Sequence, residues 1–161
     1  MLVQGRNHWF VYLTLFLAFL LSAWPLPIDW LPWRAPFLAL VIIYWLLYLP
    51  QHFGMIFVFV MGLLLDVLQG TPLGVNAMGL SLVGYGVLST QQRLKQFALV
   101  QQSAVVFMLL GTQAMVVSWM QALVGYSSNA NLMLIGGIWG ALLWPLVRRY
   151  MRRLSWYFRV E

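Results

Sequence analysis

Between Trp9 and Val147 the only charged side chains are Asp29, Arg34, Asp66, Arg93 and Lys95. Everything else in that stretch is apolar or uncharged, broken at intervals by proline, glycine and short polar segments. A soluble domain is about 25% charged, whereas this chain is 7% charged and 63% hydrophobic, with mean hydropathy +0.85. Without polar surface to offer to water, the sequence predicts an all-α integral membrane protein.

The apolar runs fall at approximately 9–24, 36–50, 53–68, 73–90, 97–124 and 131–147, followed by a basic tail over 148–161. They predict six transmembrane helices in one bundle, forming a single domain over 1–161. The first run follows a short basic segment, as in a signal peptide, but Leu21-Ser22-Ala23 is a poor cleavage site and further runs follow. The second is the shortest. Thirteen residues separate Pro36 from Pro50, giving about 20 Å of helix against a hydrocarbon core of about 30 Å. It either begins earlier, near Trp30–Trp33, or forms a re-entrant arm. Gln91–Gln96 reads as the one polar internal loop. Six spans with the N-terminus inside put Arg6, Arg93, Lys95 and the tail residues Arg148, Arg149, Arg152, Arg153 and Arg159 on the cytoplasmic side, and Arg34 alone outside. That bias places both termini in the cytoplasm.

The chain has a net charge of +6. In so apolar a sequence the basic residues act as topology signals and as contacts for anionic lipid or a cytoplasmic partner, not for nucleic acid. Arg93, Lys95, Arg148, Arg149, Arg152 and Arg153 are the residues expected in that role. The tail arginines share one helical face with Met151, Leu154 and Phe158 opposite, which predicts an interfacial amphipathic helix. Cysteine is absent, so there is no disulfide framework, and no cluster has metal-ligand spacing. No cofactor is expected. His8 and His52 are predicted on the face opposite Asp66, so general acid and base would not meet, and the chain reads as a non-enzyme.

Asp66 is the one acid inside an apolar run, and Gly62, Asp66, Gly70 and Gly74 recur every four residues. On a helix this spacing makes a stripe of small residues around one polar anchor, at least as far as Pro72. Gly136 and Gly140 repeat the small-residue spacing in the last run. The six residues are read as a seam that packs against, or supports, partner segments. Asp66 has three readings: a structural anchor bonded to neighbouring helices or to Arg34, a partner contact, or an ion or ligand site. The third would make the chain a small-molecule binding or transport protein, with an outward pocket near Asp66, Trp30 and Trp33. Gln113 and Gln121 are the only other strongly polar side chains deep in a run, which is thin for a transport path.

Four stretches carry a family resemblance: Arg34-Ala35-Pro36-Phe37, Tyr44-Trp45-Leu46-Leu47-Tyr48-Leu49-Pro50, Met61-Gly62-Leu63-Leu64-Leu65-Asp66-Val67-Leu68-Gln69-Gly70-Thr71-Pro72-Leu73-Gly74, and Gly140-Ala141-Leu142-Leu143-Trp144-Pro145. Across nearly the whole length the sequence resembles the rod shape-determining protein family MreD, in the version found in rod-shaped Gram-negative bacteria. The resemblance implies a non-enzymatic scaffold of the elongation machinery that builds the lateral cell wall. Implied partners are MreC, then MreB, RodA and a class B penicillin-binding protein. It also implies a fold similar to the six-helix substrate-binding subunits of vitamin importers, although fold alone does not carry function.

Overall fold

A computed structural model of the chain describes residues 8–24, 36–125 and 130–158. Its elements are six helices: α1 (His8–Ala23), α2 (Phe37–Tyr48), α3 (Met55–Gln69), α4 (Val75–Gln96), α5 (Leu99–Leu123) and α6 (Ala130–Phe158). No strand occurs among the described residues.

The shortest helix is the core. α2 has 12 residues, about 18 Å, and nearly all of Leu38–Leu47 is buried. A helix apolar on every side is one enclosed by other helices, and α1, α4 and α6 all pack on it. Pro50 sets its end, because the residue before a proline avoids the helical region, and Leu49 sits at φ −128°, ψ 55°. Its start is held by a neighbour: the Ser22 hydroxyl of α1 accepts the Leu38 N–H at 3.3 Å. Near the other end the Trp45 indole N–H donates to Thr14 of α1 at 3.0 Å. The two bonds fix α1 and α2 as an antiparallel pair.

Antiparallel pairing continues along the chain. α3 and α4 touch where Gly62 meets Ala77 and where Gly84 meets Val58 and Met55. Next, α4 and α5 meet at Gly79 against Gln113 and Val117, and at Gly86 against Leu109. The last pair, α5 and α6, closes at Gly140 against Leu110. Successive helices therefore alternate in direction. Every described cation (Arg93, Lys95, Arg148, Arg149, Arg152 and Arg153) falls at the end of the bundle opposite Asp66.

Two expected boundaries change. Gln91–Gln96 is not a loop but the last part of α4, and the turn to α5 is only Phe97-Ala98. The tail is helical as its arginine spacing predicts, with Arg149, Arg152 and Arg153 exposed and Met151 buried, but it continues the last span without a boundary. α6 runs unbroken through Pro145 to Phe158, with Met151 and Ser155 buried against the bundle and Ser155 Oγ 3.3 Å from the Tyr44 hydroxyl.

Outward faces are apolar. On α1 these are Trp9, Tyr12, Leu13, Phe16, Leu17 and Leu20, and on α3 Ile56, Phe59, Val60, Leu64 and Val67. A surface of this kind is unstable in water and suits lipid. By length and composition, Leu99–Leu123 is the one described helix able to cross a membrane by itself, while Trp9–Ser22, Phe37–Tyr48 and Met55–Gln69 are apolar but shorter.

Candidate functional site

Asp66 lies in the last turn of α3 and is 0% exposed. Its carboxylate is the cap of the next helix. Oδ1 accepts the Thr71 hydroxyl at 2.8 Å and the Asn76 N–H at 2.9 Å, and Oδ2 accepts the N–H of Gly74 at 2.9 Å and of Ala77 at 3.3 Å. The first amides of a helix have no partner within it, so these bonds answer a demand that every helix makes. The accounting is complete: the Val75 N–H donates to Pro72 O at 3.3 Å, and with Met78 donating to Gly74 O the helix ladder begins. A negative group at the positive end of the α4 dipole adds to the stabilisation.

The intervening residues shape the corner. Gly70 has φ +65°, a left-handed conformation that ends α3; Thr71 N–H then reaches back to Asp66 O at 3.1 Å and Gly70 N–H to Val67 O at 3.4 Å. Pro72 prevents the helix from resuming, and Gly74 turns the chain at φ +103°. Asn76 closes the knot by donating its side-chain amide to Gln69 Oε1 at 3.1 Å and Thr71 Oγ1 at 3.2 Å.

The stripe expected from the four-residue spacing is therefore real only for Gly62 and Asp66, which share the buried face of α3. A Cβ at Gly62 would lie 2.3 Å from the Ala77 Cα, so this glycine lets α4 approach. Gly70 and Gly74 have open space around a built Cβ and are present for their backbone angles instead. Gly136 and Gly140 are buried, Gly140 against Leu110 of α5 and Pro36. Of the proposed partners of Asp66, Arg34 lies outside the described residues, as do Trp30 and Trp33 of the supposed pocket.

A second polar anchor escaped the sequence reading. Gln102, near the start of α5, is 1% exposed. Its amide donates to Leu94 O of α4 at 2.5 Å, and its Oε1 accepts Arg148 Nη1 at 2.7 Å and the Trp144 indole N–H at 3.4 Å. One side chain ties α4, α5 and α6 together at the cationic end of the bundle. Arg148 is thereby turned inward, while Arg93, Lys95, Arg149, Arg152 and Arg153 stay exposed.

Among the described residues no three His, Cys, Asp or Glu side chains gather as a metal site would need. His52 sits in the turn between α2 and α3, at the end of the bundle away from Asp66.

Residues 4–154 match the family described as rod shape-determining protein MreD. The chain belongs to the MreD family. A rod shape-determining protein MreD of Haemophilus influenzae is 29% identical over 152 residues, covering 91% of each chain. MreD membership assigns the protein a role in determining rod shape and a place among membrane-associated proteins. No solved structure matches the chain.

Proposed function

We propose that the protein is a multi-pass, non-enzymatic scaffold of the bacterial inner membrane. It holds the transmembrane segment of MreC, and through that contact works with MreB, RodA and a class B penicillin-binding protein in cell-wall elongation. The family match carries this reading, and the outward faces of α1, α3 and α5 support it. They offer ridged apolar surface on which a neighbouring helix can pack in place of lipid. Gly62 and Asp66 support such a surface from within by fixing α3 to α4, Gly70 and Gly74 by shaping the corner between those helices, and Gly140 by letting α6 approach α5, with Gly136 one turn earlier assigned to the same seam. A ligand or coupling-ion site at Asp66 is not favoured, because both carboxylate oxygens already accept two donors each from the chain itself.

Three measurements test the proposal. Expressed in a rod-shaped cell lacking its own MreD, the chain should restore rods. Tagged and solubilised gently from native membranes, it should retain MreC; recovery of the chain alone at full solubilisation overturns the scaffold reading. Since the chain has no cysteine, single cysteines placed at Arg93 and Arg152 should label only from the cytoplasmic side. Periplasmic labelling of either refutes the topology.

A further inference from the structure

On α6 the exposed residues Ile138, Leu142, Leu146, Arg149 and Arg153 fall within an arc of about 80° at roughly 100° per residue. The first three are apolar and the last two are cations, so one outward stripe changes from hydrocarbon-like to charged within a single turn. α4 repeats the pattern independently: Met78, Leu82, Tyr85, Ser89 and Arg93 share a comparable arc on its exposed face, apolar first and cationic last. Both stripes reach their cations at the level where Gln102 joins Leu94 to Arg148. Arg149 lies about 4.5 Å beyond Leu146 along the axis and Arg153 about 10 Å beyond, against a headgroup layer of roughly 5–7 Å on each side of the core.

These cations lack an anion of their own among the described residues. Asp66 is the one described acid, and it is fully buried at the far end with its acceptor sites filled. Arg148 shows the contrast, since it points inward and is satisfied by Gln102. An isolated topology signal needs only to be basic. It does not need to continue a lipid-facing stripe on two separate helices at one depth.

We infer that Arg149, Arg152 and Arg153 of α6, with Arg93 of α4, form a rim that binds the phosphate headgroups of anionic phospholipids in the leaflet at that end. A phosphate carried on acyl chains is delivered to this rim by the apolar stripe above it, which a free phosphate is not. Guanidinium groups also suit the ligand, because their planar fork bonds phosphate oxygens in pairs. The inference rests on the outward faces being lipid-facing and not on the identity of any protein partner.

The test uses the full chain in nanodiscs of equal phosphatidylglycerol and phosphatidylcholine, with the lipids retained after mild delipidation counted by native mass spectrometry. The wild type should retain phosphatidylglycerol preferentially. The combined Arg149→Gln, Arg152→Gln, Arg153→Gln variant should lower the ratio of the two lipids at least fivefold, the effect of roughly one headgroup contact of about 1 kcal/mol. The matching triple Lys variant should keep the ratio within about twofold, since charge near the surface is the main term. Arg148→Gln should leave it unchanged, and exchanging chloride for inorganic phosphate at equal ionic strength should not move it. An equal lipid ratio in the wild type, an undiminished ratio in the Gln variant, or competition by free phosphate overturns the inference. So does loss of an acidic protein from native-membrane preparations of the Gln variant with its lipid ratio intact, which assigns the rim to that protein. Failure of the wild type to enter nanodiscs at all refutes the lipid-facing assignment itself. The variants' unfolding midpoints in pure phosphatidylcholine, expected to equal the wild type's, separate lost binding from lost fold.

Discussion

Asp66 and Gln102 do the same job at opposite ends of the bundle, yet they are built differently. Each is a single buried polar side chain that bonds across helices, Asp66 by taking up the free amides of a helix start and Gln102 by joining a carbonyl of one helix to two side chains of another. Asp66 works locally: all its donors come from Thr71–Ala77, within one corner. Gln102 works at long range, bonding Leu94 on one side and Trp144 and Arg148 on the other. The local anchor completes a helix start that would be deficient in any surroundings. The distant one can form only after three helices have met. Asp66 should therefore govern whether α3 and α4 exist as a hairpin, and Gln102 how the finished bundle is held.

The comparison predicts its largest effect at Asp66→Ala. Three backbone amides and a hydroxyl lose their acceptor in a buried corner, and an unsatisfied buried donor costs about 1–3 kcal/mol. With partial rescue by water at the membrane edge, the expected loss is roughly 3 kcal/mol. It would be read as a lowered unfolding midpoint in detergent and as reduced protein in cells that lose rod shape. Asp66→Asn keeps one acceptor oxygen but sets an amide donor against N–H groups, so it should lose about 2 kcal/mol. A loss below about 1 kcal/mol for Asp66→Ala would show that the corner is made elsewhere.

Gly62→Ala should come next, at about 2 kcal/mol, because the new Cβ meets the α4 backbone and the helices must part. Parting them also stretches the Asp66 bonds to Asn76 and Ala77. Gly70→Ala tests the same corner differently. Nothing obstructs its Cβ, and only the φ of +65° is unfavourable, so about 1 kcal/mol should be lost. If Gly70→Ala proved the more damaging of the two, backbone conformation and not close approach would be what the corner depends on.

The two anchors also show what the sequence makes legible. Asp66 stands out because a lone acid in an apolar run needs a reason, and Gly70, Pro72 and Gly74 beside it mark a corner. Fourfold spacing suggested a continuous stripe, but spacing is blind to the φ angle that ends α3 at Gly70. Helix number was equally readable, since prolines, glycines and polar segments separate the apolar runs. So was the shortness of α2 between Pro36 and Pro50, though not its central place, which depends on which helices surround it. Gln102 was invisible. It sits in Gln101-Gln102-Ser103, an ordinary polar helix start, and its partners at Trp144 and Arg148 are adjacent only in space. Helix ends misled for a related reason. Gln91–Gln96 looked like a loop because it is polar, but polar residues continue a helix readily once it protrudes beyond the apolar layer, and α4 turns only at Phe97-Ala98.

Gln102→Leu sharpens the long-range side of the comparison. It removes one donor and one acceptor at once and fills the space with apolar volume. Leu94 O still accepts the Phe97 N–H at 3.3 Å, and Arg148, half-buried, can turn toward headgroups. The loss should therefore be about 1–2 kcal/mol, smaller than for Asp66→Ala although more helices are involved. Smallest of all should be the interaction between the anchors. They lie at opposite ends of α4 and share no hydrogen-bond partner, and effects of such separated sites add within about 0.5 kcal/mol. The double variant Asp66→Asn with Gln102→Leu should thus lose the sum of the two single losses within that margin. A coupling well above it would mean that α4 transmits strain from one end to the other as a rigid rod. In that case the local anchor would also be setting the packing of α5 and α6, and the division between hairpin formation and bundle fastening would fail.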